Sequence, residues 1–428
     1  MARGLHNRAG LYVLAAISAV DCAAHSMNSL GPFAVGELVR NGHLSIMQAG
    51  LWSCVEMLAY ATAMTSIAPL SPKVRLRSLA LSATVGLVIA QAGSAFATGM
   101  GALLLLRVLS GSSLGALNAV VNIGASRLGK PVFVLSFVMV VQTVVFSIAS
   151  IFLPHAATLA GQKGVFAALA GLVLLLLPAM VFLPDTADAT PVSSPPPSGS
   201  APTPNASLWA LLAVLFYTGG SLAVWPFTER IGAAVGLQTT SFGILSAIAN
   251  IVGLVVCLVT ALRSHRHSTS PLLVPAIVLI GGVCVLQACP PTRLLFCVAF
   301  IFNYALWFFI YPSLVGLACL VDPSGKLAAR AGGAWMFSQA ATTLFASATQ
   351  NDGLYLWTGL FSLVLCICAA LSTLMATYQN QQGVVPPAPA SPTMDGPPLP
   401  ERAPHQVSQP NLHNARPHHN NRQNNWRG

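Results

Sequence analysis

The residues with chemical capacity begin in the first apolar run, residues 11–39, LYVLAAISAVDCAAHSMNSLGPFAVGELV. Asp21, His25 and Asn28 are spaced i, i+4, i+7, which puts a carboxylate, an imidazole and an amide on one helix face. The run is long enough to cross a bilayer, whose hydrocarbon core of ~30 Å takes about 20 residues at 1.5 Å each. An ionisable side chain at that depth costs ~2.5–3.5 kcal/mol on insertion scales and faces a protein interior or a wet cavity. Both groups can be brought to titrate near neutral pH by burial and neighbouring charge. Asp21 and His25 are therefore candidates to bind and release a proton or to hold part of a substrate; the plainer alternative is a hydrogen bond that only fixes packing.

Further candidates lie in later apolar runs. Glu56 has the reach to neutralise Arg107 across neighbouring helices, since an unpaired charge there is costly. Arg107 also has the fork geometry to clamp a carboxylate. Glu37 and Arg40 end the first run and Glu229 and Arg230 end the seventh, which suggests an ion-pair gate; simple solvation at the interface is the alternative. Asn122, Gln142, Tyr217, Trp225, Asn303 and Gln339, with Asn118, Asn250, Tyr304 and Tyr311, are candidates to line a cavity, because amides hydrogen-bond across helices. The nine cysteines lie mostly in apolar runs and contain no CxxC pair, so they read as buried small hydrophobes. His413, His418 and His419 in the tail form no convincing metal set, and no metal or cofactor is expected.

Composition fixes the setting. Of 428 residues, 55% are hydrophobic and 7% charged, against roughly 25% charged in soluble domains. The net charge of +10 sits in short loops and the tail, without interleaved aromatics, so no nucleic-acid partner is expected. Twelve spanning helices are expected, at 11–38, 44–70, 78–97, 100–124, 132–153, 165–183, 207–231, 239–262, 271–289, 294–318, 328–347 and 354–376. With the N-terminus inside, the inner segments hold Arg3, Arg8, Lys73, Arg75, Arg77, Arg127, Lys130, Arg263, Arg266, Lys326 and Arg330. The outer segments then hold only Arg40, Lys163, Arg230 and Arg293. That bias places both termini in the cytoplasm of an inner-membrane protein.

The chain divides into an N-terminal bundle (1–183), a Pro/Ser-rich cytoplasmic linker (184–206), a C-terminal bundle (207–376) and a tail (377–428) too polar to fold. The halves echo each other. Gly31-Pro32-Phe33 is followed by Gly50 at nearly the distance at which Trp225-Pro226-Phe227 is followed by Gly243, and basic loops recur after helices two and eight and after four and ten. Six-plus-six repeats are the pattern of a transporter with a midplane site.

RVLSGSSLG, with Arg107, Gly111 and Gly115, and DPSGKLAAR, with Asp322, Gly325, Lys326 and Arg330, resemble motifs of the major facilitator superfamily. The loop APLSPKVRLR keeps the basic residues of that family's loop between helices two and three but not its glycines and aspartate. The helix-five antiporter motif is absent. The resemblance implies an all-α membrane protein of two six-helix bundles that moves a small organic solute by alternating access, coupled to protons, with the bilayer, the solute and protons as partners. Efflux by antiport is the alternative within the class. A solute sensor or a membrane-embedded enzyme is less favoured, because no HExxH motif or nucleophile accompanies Asp21 and His25. No GxxxxGK[ST] loop is present to couple ATP directly.

Overall fold

The computed structural model describes residues 2–40, 44–67, 70, 74–127, 131–184, 204–264, 271–322, 326–350 and 355–383. Most of the linker, several basic loops (including Lys73, Lys130 and Arg266) and the tail beyond Gly383 lie outside them. Among the described residues the chain forms twelve α-helices: α1 (Ala2–Arg40), α2 (Ile46–Ile67), α3 (Leu76–Phe96), α4 (Met100–Arg127), α5 (Pro131–Met180), α6 (Pro204–Leu222), α7 (Thr228–Ala234), α8 (Thr239–Ser264), α9 (Leu273–Ala288), α10 (Arg293–Val321), α11 (Lys326–Thr349) and α12 (Leu356–Gly383).

Two of these differ from one-helix, one-crossing. The expected spans 132–153 and 165–183 join into α5, and the residues between them are helical rather than loop. Its 50 residues at 1.5 Å each would reach more than twice the hydrocarbon thickness. The stretch breaks at Gly161 (φ 57°, ψ −133°), a conformation glycine adopts without a Cβ clash, so its two arms make two crossings. The next residue, Gln162, donates from Nε2 to Ser94 O (2.7 Å) and Ala97 O (2.8 Å), satisfying carbonyls at the end of α3 that have no helical partner. Conversely, the expected span 207–231 is interrupted. α6 stops at Leu222, a short 3₁₀ turn covers Trp225–Phe227, and α7 resumes. Pro226 lacks the N–H that a continuous helix needs. Broken helices of this kind are tolerated at membrane depth only where they are buried in protein or line a cavity. The tail expected to start at 377 begins later, since α12 runs to Gly383. Eight of the described segments are long and apolar enough to cross a membrane; counting the two arms of α5 apart and α6 with α7 as one gives the twelve segments of the expected multi-pass arrangement.

Helices α1–α5 pack on one another and α6–α12 do likewise; the main joints between the groups are α2 with α11 and α5 with α8. The repeat glycines sit at those joints. A Cβ on Gly50 would lie 2.0 Å from Ser347 Oγ, and one on Gly243 would lie 2.2 Å from Ser150 O. Equivalent positions of the two repeats thus make equivalent contacts between the halves. Gly111 and Gly115 act within one half: a Cβ at either would lie 2.2 Å from a carbonyl oxygen of α2, that of Glu56 or of Tyr60.

These placements separate two effects. Gly115→Leu, inside one half, should lower the melting temperature in detergent, in line with an overpacking cost of ~1–3 kcal/mol. Gly243→Leu, between halves, should leave the melting temperature close to wild type and speed cysteine labelling at Thr239. The reverse pattern would contradict the assignment of the two contacts.

Candidate functional site

A cavity of ≈ 640 Å³ lies between the two groups of helices. Asp21, His25 and Asn28 of α1 line it, together with Asn118 and Asn122 of α4, Gln142 of α5, Trp225, Asn250 of α8, and Asn303, Tyr304, Trp307, Phe308 and Tyr311 of α10. Its lining falls near the C-terminal ends of α2 and α4 and the N-terminal ends of α5 and α11. Those ends carry the basic loops. Thr65 and Asn122 on this side are exposed.

Asp21 and His25 face each other as the helical spacing requires. Nδ1 of His25 lies 3.2 Å from Asp21 Oδ1 and 3.2 Å from the Asp21 carbonyl oxygen. The second carboxylate oxygen, Oδ2, is buried without a hydrogen-bond partner.

Asn28 stands at the inner limit of the cavity, and Pro32 explains its role. A proline at i cannot donate to the carbonyl at i−4, so Pro32 leaves Asn28 O unpaired within α1. Trp225, at the break after α6, donates its indole Nε1–H to that oxygen at 2.7 Å. Asn28 Oδ1 accepts from Gln339 Nε2 of α11 at 3.3 Å. One residue of the first half therefore holds two residues of the second. Beyond it lies a void of ≈ 20 Å³, room for about one water, lined by Asn28, Trp52, Glu56, Trp225, Gln339 and others.

At the far end the expected charged residues meet. Arg40 donates to Glu37 on its own helix and to Glu229 on α7, and its Nη2 reaches Thr239 Oγ1 at 3.2 Å. Thr239 Oγ1 donates to Glu229 Oε1 at 2.8 Å. Both carboxylates are buried. Arg230 lies apart from this cluster, beside Tyr355. Thr239 carries no sequence signal for this role, being one more hydroxyl at a helix start.

Glu56 and Arg107 pair away from the cavity. Arg107, fully buried, donates to Glu56 Oε1 (2.9 Å), Gln91 Oε1 (3.1 Å) and Ser94 Oγ (2.9 Å). Its guanidinium lies 4.4 Å from the Trp52 ring centroid, a cation–π distance. Ser110 Oγ donates to the same Glu56 oxygen at 2.6 Å. The arginine is thus consumed within the first half. Tyr217 is buried in the core of the second half and does not line the cavity. Sequence reasoning passed over Trp307, Phe308 and Trp335 as site residues. Tyr304, Trp307 and Tyr311 share one helix face by their i, i+3, i+7 spacing, and that period was the available signal.

No protein-family model matches the sequence, and no curated protein matches it either. Solved structures do. A D-xylose–proton symporter superposes with a TM-score of 0.68 at 13% identity over 85% of this chain and 96% of that one. The fold is that of the major facilitator transporters. The nucleoside transporter NupG superposes with a TM-score of 0.61 at 12% identity, over 86% and 99% of the two chains. A bacterial homologue of the human lysosomal transporter Spinster, inward-facing and occupied, does so with 0.65 at 13% identity, over 90% and 99%.

The Glu56–Arg107 pair carries a stability prediction. Glu56→Leu or Arg107→Met alone leaves a buried charge uncompensated and should cost ~3–5 kcal/mol, read as reduced thermostability and yield. The double variant should recover most of the loss. A double variant whose loss equals the sum of the two single losses would show that the two residues do not act as a pair.

Proposed function

We propose that this chain is a secondary active transporter of a small organic solute, coupled to protons through Asp21 and His25 and working by alternating access. The observation that carries the reading is the placement of this ionisable pair in the wall of a large cavity between two helix bundles, in a fold shared with a sugar–proton symporter. In this reading the bundles are residues 1–183 and 207–376, joined by the linker 184–206. With the basic loops in the cytoplasm of a cell inner membrane, the cavity faces inward, and both termini are cytoplasmic. Arg40, Glu37, Glu229 and Thr239 form the outer seal, and Asn28, Trp225 and Gln339 form a second barrier beneath it. The chain acts as a carrier rather than an enzyme, a reading supported by the fold it shares with solute transporters.

Two experiments test this. In proteoliposomes with an imposed pH gradient, a panel of D-xylose, a nucleoside, an organic amine and an organic acid should yield at least one gradient-dependent flux. Asp21→Asn should abolish that flux while the protein remains monodisperse; flux at the wild-type rate in this variant would remove Asp21 from the mechanism. For the seal, Arg40→Met leaves two buried carboxylates without their shared cation. It should raise the labelling rate of a cysteine placed at Thr239 by ~10-fold or more, and an unchanged rate would show that the ion pair does not hold that end shut.

A further inference from the structure

The charge and hydrogen-bonding character of the cavity narrow the solute. Among the described residues lining it there is one carboxylate, Asp21, and no lysine, arginine or second acid. Arg107, the residue suited to an anionic solute, is held elsewhere by Glu56, Gln91 and Ser94. The amides are neutral and leave Asp21 as the charged acceptor of the lining. Asn122 Nδ2 donates to Asn118 O (3.0 Å), Asn250 Nδ2 to Ser246 O (2.9 Å), Asn118 Nδ2 to Met64 Sδ (3.4 Å) and Asn303 Nδ2 to Cys284 Sγ (3.5 Å). Each of these nitrogens spends one of its two N–H groups on the protein, so the four amides offer a ligand a carbonyl oxygen and one remaining donor apiece. Opposite α1 stands an aromatic wall. Trp307 stacks on Tyr311 with centroids 5.0 Å apart, Trp335 packs at 5.6 Å and 5.1 Å from those two, and Trp225 meets Tyr304 at 5.4 Å. Aromatic faces attract cations and flat apolar bodies alike.

We propose that the solute is an organic monocation with a flat apolar body, its protonated amine on the carboxylate of Asp21 and its body against the wall of Trp307, Tyr311 and Trp335. This rests on the transporter reading and names the substrate class of the same site. It also sets the direction of coupling. When His25 is neutral the pair carries one negative charge and accepts the amine; when His25 holds a proton the pair is neutral overall and does not. Solute and proton then compete for one charge, which makes the cycle an exchange of cation for proton. The other titratable groups beside Asp21 are the hydroxyl of Tyr60 on α2, itself neighboured by Tyr311 on α10, and the thiol of Cys22, none of which supplies a competing positive charge.

The test uses three probes with the same indole body on the full-length protein: tryptamine, the neutral indole-3-ethanol and the anionic indole-3-propionate. Binding is measured by calorimetry at pH 8 and pH 5.5. Tryptamine should bind at least ~10-fold tighter than the alcohol, the acid should bind weakest, and the preference should shrink at pH 5.5. Asp21→Asn should bring tryptamine and the alcohol to equal affinity. Equal binding of all three by wild type, preference for the alcohol or the acid, or no binding of any would overturn the inference, and the first two need no variant to fold. Flux in proteoliposomes separates the two claims. Preference for the acid with gradient-driven uptake of it overturns the substrate class and leaves the transporter reading standing. Selective tryptamine binding without flux supports the substrate class and counts against transport.

Discussion

A polar group at membrane depth has two stable fates, a protein partner or a wet cavity, and that constraint sorts three pairs of ionisable side chains in the described helices. Arg107 and Glu56 take the first fate within one half, where both terminal nitrogens of the guanidinium are bonded, its face lies on Trp52 and the side chain is fully buried. Arg40 and Glu229 take it across the two halves. Asp21 lines the cavity, with one oxygen against His25 and the other buried without a hydrogen-bond partner. The three pairs differ little in composition. Under the proposed function their roles as scaffold, seal and working site follow from which helices they join and whether they line the cavity.

The same constraint gives the paired prolines their meaning. The repeats place a Pro-Phe at the end of the first and seventh spans, yet the two backbones respond differently. α1 continues through Pro32, while the seventh span breaks around Pro226. The unbroken helix exposes a carbonyl at Asn28, and the broken one swings out the indole that occupies it. A net bond of this kind is worth ~1 kcal/mol, small enough to be exchanged during a cycle and directional enough to define one closed state. The lost symmetry is what produces a contact between halves at mid-membrane.

Much of this could be read from the chain. The apolar runs, the basic-loop alternation and the echoing Gly-Pro-Phe segments specify twelve crossings in two halves, because hydrophobic length and repeat spacing are local properties. The i, i+4 spacing of Asp21 and His25 specifies their contact for the same reason. What could not be read depends on long-range packing. The fate of Arg107 turns on Gln91 and Ser94 of α3, which have no mark in the sequence. The burial of Tyr217 in the core of one half, and the position of Trp335 at the cavity, depend on how α6 and α11 are rotated about their axes. The helical conformation of the residues on either side of Gly161, where the two arms of α5 meet, has no mark in the hydrophobic pattern.

Alternating access itself is open to one direct measurement. Spin labels carried on non-natural amino acids at Ser78 and Arg330 report the width of the basic-loop end, and a second pair at Thr98 and Thr292 reports the sealed end. Distance distributions for each pair, recorded in liposomes at pH 8 and pH 5.5 with and without tryptamine, should show opposed changes: a population in which the first pair closes as the second opens. Rigid distances at both ends, or movement at one end alone, would contradict a carrier that exposes Asp21 and His25 to each side in turn.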